Sequence, residues 1–390
     1  MPDSGRQTNQ RLRVDAKRGE MMRMAKAAEN ETGGIIYDEV VRIPARSPRA
    51  AATALLEDNA PLETASIGDV ARLAGVAPIT VSRALRNPEK VSAEKRARIE
   101  AAVERTGYRV NPFASALKSG RSNVVMAFAS NMFSEQFALA LHACANVLEE
   151  AGYLFLVGQT SYSYDRETAA IRSLQALKPA AVMFTGVIEL EQNRETLRNL
   201  GIPIMETWAF PRDPIDMLVG FSNTEAGRLA AEALADGGYK KVGFIGRRGG
   251  RGALRLKGFR DSCRDLGLEF VGEFLSDEVA GPSDGRRCLS TLLESGASVD
   301  AVFCANDLLA LGTLMEARRR KLSIPKDFGV IGFGESDIAA EIPPGLTTVG
   351  IDSAQLGKIV GEMLLNRLSK GEIAAPIRRV DLLVTHRGSV

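Results

Sequence analysis

Two hydrophobic patterns divide the chain. Across residues 67–86, IGDVARLAGVAPITVSRALR, the apolar positions Val70, Leu73, Val76, Val81 and Leu85 recur three to five residues apart. That is the spacing of an inward-facing helical stripe, and it predicts two short helices. From residue 124 onward the texture changes to short unbroken apolar runs: VVMAFAS, YLFLVGQT, AAVMFTG, IPIMET, KVGFIG, AVFCAND and FGVIGFG. Such runs predict strands buried on both faces of a parallel sheet. Amphipathic stretches such as FALALHACANVLEEAG, TEAGRLAAEALADGG and GALRLKGFRDSCRDLG lie between them. Alternating strands and helices predict an α/β body of doubly wound parallel sheets over residues 123–390. Its length suits two lobes facing each other, with a cleft at the carboxyl ends of the strands. The first lobe is expected to take residues 123–221 and 350–370, the second 222–349 and 371–390.

The helical pair carries local signals of its own. Ser66 followed by Asp69 reads as a capping box, and Gly75 stands where a turn needs a positive φ. Pro78 opens the second helix, where its missing N–H costs nothing. The pair reads either as a helix-turn-helix or as a helical hairpin buried in a core, and spacing alone leaves both open. Asn87-Pro88 ends the second helix, Ser92 caps a third, and Gly107 closes it. This all-α domain is expected over residues 65–111. Residues 112–122 then form a short helix or linker, and residues 1–64, polar and without sustained periodicity, are expected to be disordered.

Charge sharpens the division. The 390-residue chain has a net charge of only +2, yet residues 65–122 hold eleven Lys/Arg against five Asp/Glu. A basic head on a mildly acidic body fits a polyanion binder better than a membrane binder. The four cysteines are scattered in apolar or amphipathic runs, which points to buried reduced thiols rather than a metal or disulfide framework. Two histidines leave little for acid/base catalysis. The run GFIGRRGGRG misses the G-x-G-x-x-G spacing, so no nucleotide cofactor is expected, and no metal either. With no signal core and no membrane-spanning run, a cytoplasmic protein is expected.

Taken together, DVARLAGVAPITVSRALRNPEKVS, GYRVNPFASALKSG, GFSNTEAGRLAAEAL, VGFIG, AVFCANDLLALG and GVIGFGESD with IPPGLTTV resemble the lactose/galactose repressor family of bacterial transcription regulators. RNPEKVS, LVGFSNTEAGR and VFCANDLLALG look most like its gluconate-repressor type. The resemblance runs from about residue 65 to the C-terminus. It implies a nucleoid-associated homodimer that reads a palindromic operator and responds to a small-molecule effector. In the second helix Pro78, Ile79 and Arg83 match base-reading positions, with Thr80 and Ser82 as phosphate or base-edge contacts. The segment NPFASALKSG resembles the family's hinge helix, with Asn111 among its DNA-contacting residues and Leu117 the wedge for the minor groove.

The resemblance also places an effector pocket between the lobes. Phe137 would wall it, and Arg255 and Asn306 would hold the ligand, with Asp307 in support and Glu206 near another wall. Neutral-sugar members carry an aspartate where this chain has Gly334. Meanwhile GRRGGRGALR gathers Arg247, Arg248, Arg251 and Arg255. Losing a carboxylate and gaining guanidinium groups favours an anionic effector, a sugar acid such as gluconate or a phosphorylated relative. Two other readings are weaker. A transport solute-binding protein lacks its signal peptide here, and a sugar-metabolising enzyme lacks an acid/base pair.

Overall fold

The computed structural model describes residues 65–109, 122–276, 279–371 and 373–390. The predicted extension (1–64), the hinge segment up to residue 121, and with it Asn111 and Leu117, lie outside the described residues. The chain forms two compact units, divided after Arg109.

The first unit is helical. Helix α1 (Ile67–Ala74) starts at the expected capping box: Asp69 N–H donates to Ser66 Oγ at 3.3 Å, and Ser66 N–H donates to Asp69 Oδ2 at 3.0 Å. Those bonds, with Arg72 beside them, hold the Asp69 carboxyl down at about 2. Gly75 takes φ 64°, and Val76 N–H reaches back to Ala71 O at 3.0 Å to close the helix. Helix α2 (Pro78–Arg86) begins with proline in its first turn, and α3 (Ala93–Thr106) ends at Gly107 with φ 63°. Ser92 occupies the N-cap of α3 but makes no side-chain capping bond.

The core of this unit differs from the expected stripe. Val70, Ala71, Ala74, Val81, Ala84, Ile99 and Ala102 are buried, whereas Leu73 is 43% and Leu85 36% exposed. At 100° per residue the buried stripe of α1 is centred among Val70, Ala71 and Ala74, about a quarter turn from Leu73. Alanines let three short helices approach closely, and the leucines are left at the margin.

The second unit holds two six-stranded sheets, ordered β11-β5-β4-β3-β1-β2 and β12-β10-β9-β8-β6-β7. In chain order the strands are β1 (Val124–Ala129), β2 (Leu154–Gln159), β3 (Ala181–Phe184), β4 (Ile204–Thr207), β5 (Met217–Gly220), β6 (Lys241–Arg247), β7 (Glu269–Ser276), β8 (Ala301–Cys304), β9 (Gly329–Phe333), β10 (Thr347–Gly350), β11 (Ile377–Arg379) and β12 (Leu383–Thr385). All pairings are parallel except β10 with β12. The helices are α4 (Glu135–Glu150), α5 (Tyr164–Leu177), α6 (Glu191–Arg198), α7 (Asn223–Asp236), α8 (Gly250–Leu266), α9 (Pro282–Glu294), α10 (Asp307–Arg319), α11 (Asp337–Glu341) and α12 (Ser353–Lys370).

One lobe boundary needs correction. The stretch 371–390 was expected wholly in the second lobe, but β11 pairs with β5 of the first sheet, Ile377 opposite Leu218. Only β12 belongs to the second. The chain therefore passes between the sheets after β5, after β10 and again between β11 and β12. All three residues of β11 are exposed, so no buried apolar run marked it as a strand.

Helices pack in close pairs through glycine. A Cβ at Gly258 of α8 would lie 1.9 Å from Thr224 O of α7, and one at Gly227 of α7 would lie 2.1 Å from Arg255 O. The pair α9 and α10 crosses in the same reciprocal way: Gly285 meets Leu309 O at 2.0 Å, and Gly312 meets Pro282 O at 1.8 Å. These obstacles are backbone atoms, which cannot swing aside. Gly258→Ala is therefore expected to destabilise the second unit by about 1–3 kcal/mol, as overpacking does. A thermal melt with an unshifted midpoint would contradict the close crossing. The four cysteines are free and buried, and burial pushes the Cys304 thiol up to about 12.

Candidate functional site

The outward side of α2 is the first candidate. Val81 and Ala84 face the core, and at 100° per residue Ile79, Ser82 and Arg83 fall on the opposite side. Ile79 is 59% exposed. Pro78 and Arg83 are exposed, while Thr80 and Ser82 are half-buried at the flanks. Helix α2 thus presents the apolar Pro78 and Ile79 and the cationic Arg83 beside two hydroxyls. Hydroxyls and the first-turn N–H groups suit phosphate oxygens, and a guanidinium can bridge O6 and N7 of guanine.

The second candidate is a cavity of about 510 Å³ between the two sheets. The loops after the parallel strands line it: Ser130 and Asn131 after β1, Thr160 and Tyr162 after β2, Gly186 and Glu189 after β3, Arg248 to Gly250 after β6, Ala305 and Asn306 after β8, and Gly334 after β9. The strand carboxyl ends converge there, where α/β folds place ligands.

Four of the five expected effector residues reach it. Phe137 forms part of the wall and packs edge-on against Trp208, with ring centroids 4.8 Å apart. Arg255 is buried, its Nη1 donating to Ala305 O at 2.7 Å and its guanidinium 3.5 Å from the Phe333 ring centroid. Its Nε is buried without a hydrogen-bond partner. Burial, with Arg251 adding repulsion, draws this guanidinium down to about 9, so it stays charged at neutral pH. Asn306 caps α10, its Oδ1 accepting Leu309 N–H at 2.9 Å, while it lines the cavity. Gly334 has φ 145°, and a Cβ there would stand 3.0 Å from Asp307 Oδ2. A carboxylate at that position would therefore confront a second one.

Glu206 is different. It is fully buried on β4 and is not among the cavity residues. Its carboxylate accepts Ile188 N–H at 2.8 Å and Ile215 N–H at 2.7 Å, 3.5 Å from Arg194 Nη1. It ties two loops together behind the wall, and burial pushes its carboxyl up. An acidic residue at a strand end reads as a ligand contact in sequence, but the neighbouring backbone amides claim it here.

Sequence reasoning missed several lining residues. Trp208 has φ 59°, is fully buried, and keeps its indole N–H without a partner. Gln136 Oε1 is likewise buried and unpaired. Both line the cavity. Arg251 crosses from the second lobe to donate to Thr185 O at 2.7 Å, 5.3 Å from the Phe137 ring, and Arg247 lies 4.8 Å over the Tyr162 ring. Trp208, Gln136 and Tyr162 lie on three separate segments and share no spacing that could have flagged them.

Asp307 supports the floor. It accepts Ser336 N–H at 2.8 Å and the Thr348 hydroxyl at 3.1 Å, and burial raises its carboxyl to about 6. Between its ordinary value and 6, the unfolded chain gives up this proton before the folded one, so the contribution to stability falls as pH rises through that window. Above it the penalty is constant. The stability of the protein relative to Asp307→Asn should therefore drop between about pH 4 and pH 7. Denaturant midpoints for both forms across that range check the sign.

With this geometry described, the comparisons decide the family. Residues 66–111 match the profile of bacterial regulatory proteins of the lacI family, and residues 231–390 that of a periplasmic binding protein-like domain. The HTH-type transcriptional regulator GntR of Pseudomonas aeruginosa is 33% identical, over 79% of this chain and 90% of that protein. The chain belongs to the lacI family. The Escherichia coli regulator GntR is 29% identical over 80% of this chain and 94% of its own length. A lacI-family regulator from Silicibacter pomeroyi, solved by crystallography, superposes with a TM-score of 0.77 at 28% identity, over 83% of this chain and 99% of that one. As a member of this family the protein is a DNA-binding transcriptional regulator and not an enzyme, and α1–α2 is its helix-turn-helix. The all-α head and the two doubly wound parallel-sheet lobes agree with the expected fold class. Among the described residues no helix is long and apolar enough to cross a membrane.

Proposed function

We propose that the protein is a homodimeric cytoplasmic repressor of sugar-acid catabolism genes, reading a palindromic operator and controlled by gluconate or a related sugar acid in the interlobe cavity. The observation that carries the effector class is the state of two arginines. Arg251 and Arg255 donate to the backbone carbonyls of Thr185 and Ala305 rather than to carboxylates, and Arg255 Nε has no partner. A ligand carboxylate would satisfy both guanidinium groups. Gly334 in place of a hydroxyl-accepting aspartate points the same way, and so does the likeness to regulators named GntR. Two-fold pairing follows from recognition itself, because one α2 spans too few base pairs for useful specificity.

Ligand closure of the two lobes would then shift the population between operator-competent and incompetent dimers. A mobility-shift assay on a palindrome upstream of sugar-acid genes, titrated with gluconate, tests the whole reading. The bound fraction should change at millimolar gluconate or below and stay constant with glucose or galactose. A response to neutral hexoses alone would refute it.

A further inference from the structure

The arginines of the cavity share one origin, although Arg251 reaches across to Thr185 O and Arg247 lies over the Tyr162 ring. All four, Arg247, Arg248, Arg251 and Arg255, come from the second lobe, along the end of β6 and the start of α8. The first lobe answers with carboxylates. Glu167 on α5 and Glu189 after β3 line the same space, with Tyr164 donating its hydroxyl to Glu189. Glu167 keeps one oxygen on Asn193 Nδ2 at 3.0 Å and lies half-buried. Burial and the nearby Glu189 push the Glu167 carboxyl up, while Glu189 lies close enough to Arg251 to favour that cation. The second lobe thus supplies the cations, with Asp307 the carboxylate beside them, and the first lobe faces them with Glu167 and Glu189.

We infer that Glu167 and Glu189 are specificity-determining residues that admit a monoanionic polyhydroxy acid and reject acids with a second anionic group, such as its terminal phosphate ester or diacid. The inference rests on the sugar-acid reading above and adds a ligand orientation to it. The carboxylate sits on the arginine wall, and the polyol chain crosses the cavity to the acidic wall. A hydroxyl can donate to Glu167 or Glu189. A phosphate or second carboxylate at the far end has few or no protons to donate near neutral pH and meets like charge, half-buried at Glu167 and exposed at Glu189. Size does not make this selection. About 510 Å³ is within the range that holds drug-sized ligands, so a phosphate would fit. Charge decides.

The test is calorimetric titration of the full-length protein with gluconate, 6-phosphogluconate and glucarate, repeated on the Glu167→Gln/Glu189→Gln variant. Glutamine keeps the shape and an accepting oxygen but removes the charge. The unaltered protein should prefer gluconate over either of the other two acids by about thirty-fold or more, and the variant should bring that ratio to within about five-fold, chiefly by binding those two better. Equal thermal midpoints establish that both forms are folded. A ratio unchanged by the double substitution, or a wild-type preference for 6-phosphogluconate or glucarate, overturns the inference and leaves the sugar-acid reading standing. Absence of gluconate binding to the unaltered protein overturns both.

Discussion

Arg83→Ala is expected to erase operator specificity while the head remains folded. The side chain is exposed on the far side of α2 from the buried Val81 and Ala84, so truncation opens no cavity. Its exposed neighbours on α2, Pro78 and Ile79, offer no hydrogen-bonding side chain. Isoleucine can press on a thymine methyl or exclude water, which discriminates weakly. A guanidinium bridging guanine O6 and N7 discriminates by about 1–3 kcal/mol per base pair. A palindrome uses the contact twice, so the affinity for operator should fall by roughly 30- to 25,000-fold. Binding to unrelated DNA should weaken only by the loss of one cation per protomer. Mobility shifts on operator and on scrambled duplex, at matched salt, separate the two quantities. If both fall in parallel, Arg83 is a phosphate contact and base selection lies elsewhere.

Much of this architecture was legible because its causes are local. Ser66 and Asp69 cap α1 as their spacing requires, and Gly75 and Gly107 supply the left-handed turns that no β-substituted residue adopts cheaply. The runs around β1, β3, β6, β8 and β9 read as buried strands because both faces of a central parallel strand are covered. What escaped depends on distant partners. β11 is three exposed residues whose only qualification as a strand is the free edge of β5. Leu73 and Leu85 look like core until alanines take the crossing points. Glu206 carries the right chemistry for a ligand contact, yet two backbone amides 18 and 9 residues away consume it. Trp208 and Glu189 reach the cavity through loop geometry, and no periodicity reports loop geometry. The candidate site divides accordingly: the arginine wall was visible as a cluster in one segment, whereas the acidic wall is assembled from two separate ones.

The arginine wall also gives the second large effect. Arg255→Ala is expected to leave operator binding near its unaltered strength and to abolish the response to effector. The residue lies in the second unit, remote in sequence from α2, and its bonds serve the cavity: one to Ala305 O, one face to Phe333, and Nε free. Removing a buried cation that has no carboxylate partner relieves a desolvation cost that offsets the lost stacking and the bond to Ala305 O, so folding should change little. The ligand, by contrast, loses a charge-assisted partner in a partly desolvated site, worth about 2–5 kcal/mol, or roughly 30- to 5,000-fold in affinity. An effector shifts the lobe equilibrium only by its differential affinity for the two states, so a dimer that binds it this weakly stays in its unliganded distribution at concentrations that saturate the unaltered protein. Arg255→Lys restores the charge without the planar fork and should recover part of the affinity. Measured together, gluconate titration by calorimetry and gluconate-dependent operator release must move in step across the three proteins. A variant that loses calorimetric binding yet still responds on DNA would place the effector site somewhere other than this cavity.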